Sequence, residues 1–246
     1  MKNPSASEQY HPQQNALLAA LSAAECKRLT SDLELVPLKL GQLLYEAGQT
    51  MSHAYFPLDC IVSLLYVMKN GESAEIAIVG NEGMIGVPLF MGGESTQSRA
   101  IVQNAGHAYR LKAQVLKDEF HSGGALQRIL LMFASALITQ MVQTAACNRH
   151  HSVDEQLCRW MLLSLDQLPS NQISMTEKLV GNMLGLSPAK VTQATNVLQK
   201  AGLIHYNAGE ITVINRPGVE KRSCECYNVV KKESDRLLPR SVELVE

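Results

Sequence analysis

Near the C-terminus, Cys224-Glu225-Cys226 places two thiols one residue apart. Two thiols are half of a tetrahedral metal site, which takes four sulfur or nitrogen ligands. The other clustered ligand types are His150 and His151, with Asp154 close behind. Adjacent histidines on a helix point apart, and no second cysteine pair or Cys-x-x-Cys completes a site, so no metal is expected. The six cysteines, at positions 26, 60, 147, 158, 224 and 226, read as reduced thiols, because a chain of 246 residues needs no disulfide scaffold. Cys147 and Cys158 are the candidates for a redox-sensitive thiol. No nucleophile triad, Gly-rich phosphate loop or carboxylate pair is evident, so no catalytic residue and no cofactor are expected.

A different chemistry is carried by "GLSPAKVTQ", residues 185–193. Ser187-Pro188 marks a helix start: the hydroxyl can cap free amides, and Pro fits the first helical position. Beyond it, Lys190, Thr192, Gln193 and Asn196 share one polar face. The Gln193 and Asn196 amides can pair bidentately with adenine or reach a phosphate. Thr192 can bond a phosphate or touch a thymine methyl, and Lys190 and Lys178 suit phosphates. Ser187, Pro188 and Ala189 form the leading edge of this helix. The Pro188 and Ala189 side chains offer no donor, so base reading shifts to the four polar residues.

Composition limits the setting. Hydrophobic residues make up 46% and charged residues 18%, and the formal net charge is −1. Cores can form, and any basic field has to be local. The stretch "MKNPSASEQYHPQQN" has no apolar core and does not read as a signal peptide. The most apolar run, "ILLMFASALITQMV", is about 14 residues and reads as a buried helix rather than a span. A cytoplasmic protein without membrane contact is expected.

The elements that must position the polar face follow from periodicity. Residues 1–14 read as a loose polar tail. Leu17 to Leu29 is helical, with Ser22 capping a second short helix that carries Glu25. From Leu33 short β-rich runs take over, punctuated by Gly41 and Gly48. Asn70-Gly71 is a hairpin signal, and Arg99–Val102 and His107–Leu111 are further strands. Such strands suggest an antiparallel barrel or roll. Ala113–Phe120 is a short helix broken by Gly123-Gly124. Then Leu126 to Asn148 is one long helix, with a stripe of Leu126, Ile129, Leu130, Phe133, Leu137, Met141 and Thr144. Ile138 and Val142 widen the apolar surface beyond one face, so the helix needs two neighbours, its own domain and a second subunit. Asn148 to His151 reads as a hinge. Capping boxes at Ser152-x-x-Glu155 and Ser174-x-x-Glu177 open the next two helices.

Met175–Leu184, a three-residue turn at Gly185 and Pro188–Lys200 have the helix-turn-helix layout. Gly181 is small where the helices must approach. Val180, Leu184, Leu186, Val191, Val197 and Leu198 are the expected inner positions. "GLIHYNAGEITVI" then gives strands Leu203–Tyr206 and Glu210–Ile214, a wing. Three Lys and two Glu between Ile173 and Ile214 give a local +1, with Arg216, Lys221, Arg222, Lys231 and Lys232 beyond.

A β-roll, a long helix, a hinge and a winged helix-turn-helix, in that order, resemble the Crp/Fnr family of bacterial transcription regulators. The stretches that carry the likeness are "YFPLDCIVSLL", "NEGMIGVPLFMGG", "LCRWMLLSLDQL", "VTQATNVLQKAGLIHYNAGEITVINR" and "CECY", over roughly residues 15–230. The fold implied is α+β: an antiparallel roll like a cyclic-nucleotide-binding domain (15–125), a dimerisation helix and hinge (126–150), and a winged helix-turn-helix DNA-binding domain (151–230). The resemblance implies a homodimer joined along the Leu126–Asn148 helix, double-stranded DNA as partner with Pro188–Lys200 in the major groove of a two-fold site, and RNA polymerase as a further partner.

The resemblance also marks an effector pocket at Gly83, Met84, Gly86, Ser98 and Arg99. The family's phosphate cassette is a Gly-Glu-x-Gly run followed by an Arg. Here it reads Gly83-Met84-Ile85-Gly86, and Met84 stands where Glu would hold the ribose hydroxyl. Losing one strong polar partner weakens binding by about 1–3 kcal/mol. Control independent of cyclic AMP is therefore expected, and the effector is not identified by the sequence. The oxygen-sensing branch clusters cysteines near its N-terminus for an iron–sulfur centre; only Cys26 stands there. Ala189 and Gln193 fall where other members read DNA with a Glu and an Arg, so the DNA site should differ from theirs. The alternative is a small-molecule or thiol-redox sensing regulatory protein whose sensor domain controls a partner rather than DNA.

Overall fold

The computed structural model describes residues 10–168, 170–207 and 209–238. After a 3-10 turn at Pro12–Gln14 come α1 (Ala16–Ala19) and α2 (Ala23–Thr30). Ser22 caps α2 with Glu25 in a capping box, as its spacing demands. The strands β1 (Glu34–Leu38), β2 (Leu43–Tyr45), β3 (His53–Pro57), β4 (Ile61–Val67), β5 (Ser73–Val79), β6 (Ser98–Asn104) and β7 (Gly106–Lys112) follow. They form a three-stranded sheet, β1-β7-β3, and a four-stranded one, β2-β6-β4-β5. Both neighbours of β7 run antiparallel to it. Gly71 takes φ +86° in the turn between β4 and β5, where a side chain would be strained.

The helices α3 (Ala113–His121), α4 (Ala125–His150) and α5 (Val153–Leu165) come next, then β8 (Gln172–Ser174), α6 (Glu177–Leu184), α7 (Pro188–Lys200), β9 (Ile204–Asn207), β10 (Glu210–Val213), α8 (Arg216–Arg222) and α9 (Glu225–Leu237). The chain packs as two units. One holds residues up to Val62, Val79–Ala136 and the residues from Ser234; the other holds Ser63–Ile78 and Leu137–Glu233. The chain passes between them inside β4, β5, α4 and α9.

Three local expectations are corrected. The polar tail is tied down from residue 10: Tyr10 donates to Asp59 at 2.9 Å, and the Asn15 amide donates to the carbonyls of Pro57 and Gly83. Residues 1–9 lie outside the described residues. The expected hinge is largely helical, because α4 runs on through His150 and a capping box at Ser152 starts α5. The cap of α6 is Thr176, whose hydroxyl accepts from the Leu179 amide; Ser174 instead pairs with Glu210 in a strand that the sequence did not announce.

The stripe named for subunit pairing is the inner face of α4. Leu126, Ile129, Leu130, Phe133 and Leu137 are buried within the chain and Met141 is half-buried. The apolar residues that α4 leaves exposed are Leu131 (51%), Ile138 (53%) and Val142 (58%). With Ser135 and Ala145 they recur at alternating steps of four and three, the seam of a coiled coil. The sequence showed only that Ile138 and Val142 widen the apolar surface, and the packing of the chain separates this seam from the inner stripe. By length and composition α4 is also apolar enough to cross a bilayer.

Candidate nucleic-acid interface

Gly185 ends α6 in the left-handed region, φ +66°. The Leu186 amide donates to the Gly181 carbonyl at 2.8 Å, which folds the turn back under the helix. A Cβ on Gly181 would stand 2.7 Å from the Leu186 carbonyl oxygen, so glycine is required there. Val180, Leu184, Val191 and Leu198 are buried as expected; Leu186 is half-buried and Val197 is exposed.

This packing leaves one face of α7 outward. Ser187, Pro188, Ala189, Lys190, Gln193 and Asn196 are all exposed. Ser187 has the cap backbone conformation but its hydroxyl makes no capping bond, contrary to expectation. Pro188 has no amide proton and the Lys190 amide donates to the Ser187 carbonyl at 3.0 Å, so what this edge presents is the positive end of the helix dipole. Thr192 is half-buried and its hydroxyl donates to the Pro188 carbonyl at 3.0 Å. Lys178 lies in α6, and its side chain falls outside the described residues.

The wing forms as expected, with β9 and β10 antiparallel and β8 added outside β10. Ala208 at its tip lies outside the described residues. The Tyr206 amide donates to the Gln199 side-chain oxygen at 2.8 Å, which fastens the wing to the end of α7. Of the five cations beyond the wing, Arg216 pairs with Asp166 and Glu220, Arg222 with Asp154 at 3.0 Å, and Lys231 with Asp166 at 3.8 Å. Those pairs cancel much of the positive field that the sequence offered.

Behind the motif, Trp160 and Arg159 of α5 are buried, and Glu75 of β5 lies in the same unit. Burial raises the Glu75 carboxyl from 4.5 to about 7, opposed by Ser63, the Arg159 charge and Trp160. The folded chain therefore binds more protons than the unfolded one between those values, and stability falls as pH rises through that window. Glu75→Gln is expected to leave stability at pH 5 nearly unchanged and to raise it at pH 8 by about 1–3 kcal/mol. Urea unfolding at the two pH values checks this; an equal effect at both would refute it.

The expected effector residues are occupied by the protein itself. The Arg99 guanidinium makes two bonds to the Glu46 carboxylate, at 2.9 and 2.8 Å. Met84 is buried, and the ring of Phe133 sits where a Gly83 side chain would be. Gly86 takes φ +111° and Ser98 is buried. Gly83 thus serves the close approach of α4, while Gly86 serves a left-handed turn beside Ala54 and Leu89. A cavity of about 590 Å³ lies elsewhere in the unit, lined by residues such as Ala20, Arg128, Met132 and Leu237.

The expectation of no metal site meets a contrary arrangement. Cys147, His151, Cys224 and Cys226 bring their ligand atoms within 4.8 Å of one another. The second pair missing from the sequence comes from the last turn of α4 and the residue that follows it. His150 is exposed and Asp154 is engaged by Arg222, so neither joins it. Contact with Cys147 holds the Cys224 thiol down and pushes Cys147 up, while burial raises Cys226. Cys158 is pushed up to about 12 by burial, which makes it a poor redox sensor.

An antiparallel roll, a long helix and a winged helix-turn-helix define a sensor-and-regulator class of protein. The family model described as a cyclic nucleotide-binding domain matches residues 35–122, and that of the Crp-like helix-turn-helix domain matches residues 155–222. The chain belongs to the Crp/Fnr family of transcriptional regulators. Among solved structures, a Crp/Fnr-family regulator of Eubacterium rectale shares 13% identity, with a TM-score of 0.67 over 85% of this chain and 97% of that one. FixK2 of Bradyrhizobium japonicum shares 15%, with a TM-score of 0.66 over 78% and 98%. TTHA1359 of Thermus thermophilus shares 20%, with a TM-score of 0.60 over 77% and 98%. At these identities the likeness is one of fold. The comparison with curated proteins returns no match.

Proposed function

We propose that the chain regulates transcription by binding a two-fold symmetric promoter site as a homodimer, independently of cyclic AMP. The observation that carries this reading is the outward face of α7. Its polar side chains are exposed above a closed helix-turn-helix core, with a wing fastened alongside. Lys190 contacts phosphate, Gln193 and Asn196 read base edges, and Ser187 at the positive end of α7 holds a second phosphate. The dimer forms along the Leu131, Ile138 and Val142 seam rather than along the buried stripe. Independence from cyclic AMP is supported by Met84 in place of an acid and by the commitment of Arg99 to Glu46. RNA polymerase is the partner through which such a regulator acts, and another effector, if one exists, has to engage the roll differently.

The test is selection of genomic fragments with the purified protein, followed by anisotropy titration on the selected site. Salt-dependent, sequence-dependent binding, unchanged by cyclic AMP, is expected; none on any fragment would sink the reading. On that site Lys190→Ala should weaken binding to all sequences alike and lower the salt slope by about 1. Gln193→Ala should cost about 1–3 kcal/mol at its own base pair and relax preference there. A Gln193 variant that loses affinity equally for every sequence would assign that residue to phosphate instead.

A further inference from the structure

We propose that Cys147, His151, Cys224 and Cys226 form a closed, four-coordinate site for a single zinc ion. The four ligand atoms lie within 4.8 Å of one another, with Sγ of Cys147 and Cys224 at 3.5 Å and Sγ of Cys226 and Nδ1 of His151 also at 3.5 Å. A tetrahedron with Zn–S of about 2.3 Å has edges of about 3.7 Å. The cluster therefore already has the size of one ion. An iron–sulfur cluster spreads its cysteines wider, and a disulfide needs its sulfurs at about 2.05 Å.

The surroundings are those of a ligand set. Cys147, Cys224 and Cys226 are 0, 4 and 2% exposed. Cys147 lies in the last turn of α4 and His151 directly follows that helix, joined by the His151 amide bonding to the Cys147 carbonyl at 3.0 Å. Cys224 precedes α9 and Cys226 lies in its first turn, where the helix dipole favours thiolates. His151 turns Nδ1 inward and presents Nε2 to the Glu225 carboxylate at 3.3 Å. That carboxylate fixes the tautomer with the proton on Nε2 and frees the Nδ1 lone pair for a metal, the usual second partner of a ligating histidine. Three thiolates and one Zn²⁺ leave a charge of −1. The buried Arg159 guanidinium acts on Cys147 and Cys226 and offsets it, and its Nε has no hydrogen-bond partner among the described residues. With four protein ligands no position stays open for water, so the ion is structural: it ties the end of α4 to the start of α9.

The experiment measures metal directly and does not depend on DNA binding. Full-length protein is purified under reducing conditions with zinc supplied, and its metal content is determined by plasma mass spectrometry. About one zinc per chain is expected, with at least a tenfold loss in Cys147→Ser or Cys226→Ser and none in Cys26→Ser. Glu225→Gln should keep the ion but weaken it roughly 10–100-fold against a competing chelator. Because a thiol variant can lose its fold, cobalt substitution supplies a second reading. Wild-type protein should show tetrahedral ligand-field bands with thiolate-to-cobalt charge transfer, and His151→Cys should strengthen the charge transfer. Wild-type protein that carries no more zinc than Cys147→Ser and shows no charge-transfer band overturns the proposal. So does a Cys147–Cys224 disulfide mapped in freshly isolated, reduced protein.

Discussion

Replacing Ile138 and Val142 together by glutamate is expected to leave the protein monomeric and to weaken its binding to a two-fold DNA site by about 10²–10⁴-fold. Both residues are more than half exposed on α4, at 53 and 58%, and they lie in register with Leu131. In a parallel coiled coil such positions face their own copies across the two-fold axis. Four carboxylates would then meet in an apolar seam, where burial opposes ionisation and like charges repel. The inner face of α4 is untouched, so the fold of each chain is preserved. Without the partner, the second half-site is no longer engaged from an effective concentration near millimolar, and avidity is lost. Light scattering with anisotropy on full and half-sites provides the check. A variant that stays dimeric removes this seam from consideration, and one that dissociates while holding the full site as tightly would refute the two-fold mode of binding.

Gly181→Val is expected to destabilise the C-terminal unit by about 1–3 kcal/mol and to abolish specific DNA binding. The Cβ would meet the Leu186 carbonyl oxygen at 2.7 Å, a backbone atom held in place because the Leu186 amide bonds to Gly181 itself. The strain is relieved only by opening the turn, which swings α7 away from the core formed by Val180, Leu184, Val191 and Leu198. Trp160 reports on this unit alone: it is the single tryptophan of the chain and is buried in α5. Its fluorescence in a urea titration should shift to a lower midpoint, while the protein in the absence of urea stays dimeric. An unchanged midpoint with unchanged DNA affinity would show that the turn tolerates the branch and that glycine is not needed there.

Local chemistry explains what was legible beforehand. The capping boxes at Ser22 and Ser152, the Asn70-Gly71 turn and the Gly181–Gly185 spacing each act through atoms a few residues apart, so residue type and order suffice to find them. The exposed face of α7 was legible for the same reason, since period and polarity select it. Expectations failed where two local solutions compete. Ser187 could cap and does not, and Thr176 rather than Ser174 begins α6, because β8 claims Ser174 for the wing sheet. The three-residue strand β8 has no periodicity long enough to announce it.

Other features have no local signature at all. Glu46 takes up Arg99 across 53 positions, and Cys147 meets Cys224 across 77. Sequence order supplies the ligand types without the distances, so half a metal site was visible at residues 224–226 and its completion was not. By itself the sequence determined the class of protein, the helix-turn-helix with its wing, and the residues that face outward from α7, because short-range periodicity and turn chemistry encode them. Only the tertiary structure decided which stripe of α4 is inner and which is exposed, that Arg99 of the expected effector set is held by Glu46, and that four ligand types separated in sequence lie within 4.8 Å of one another. Burial and long-range juxtaposition are properties of the packed chain, and no local pattern carries them.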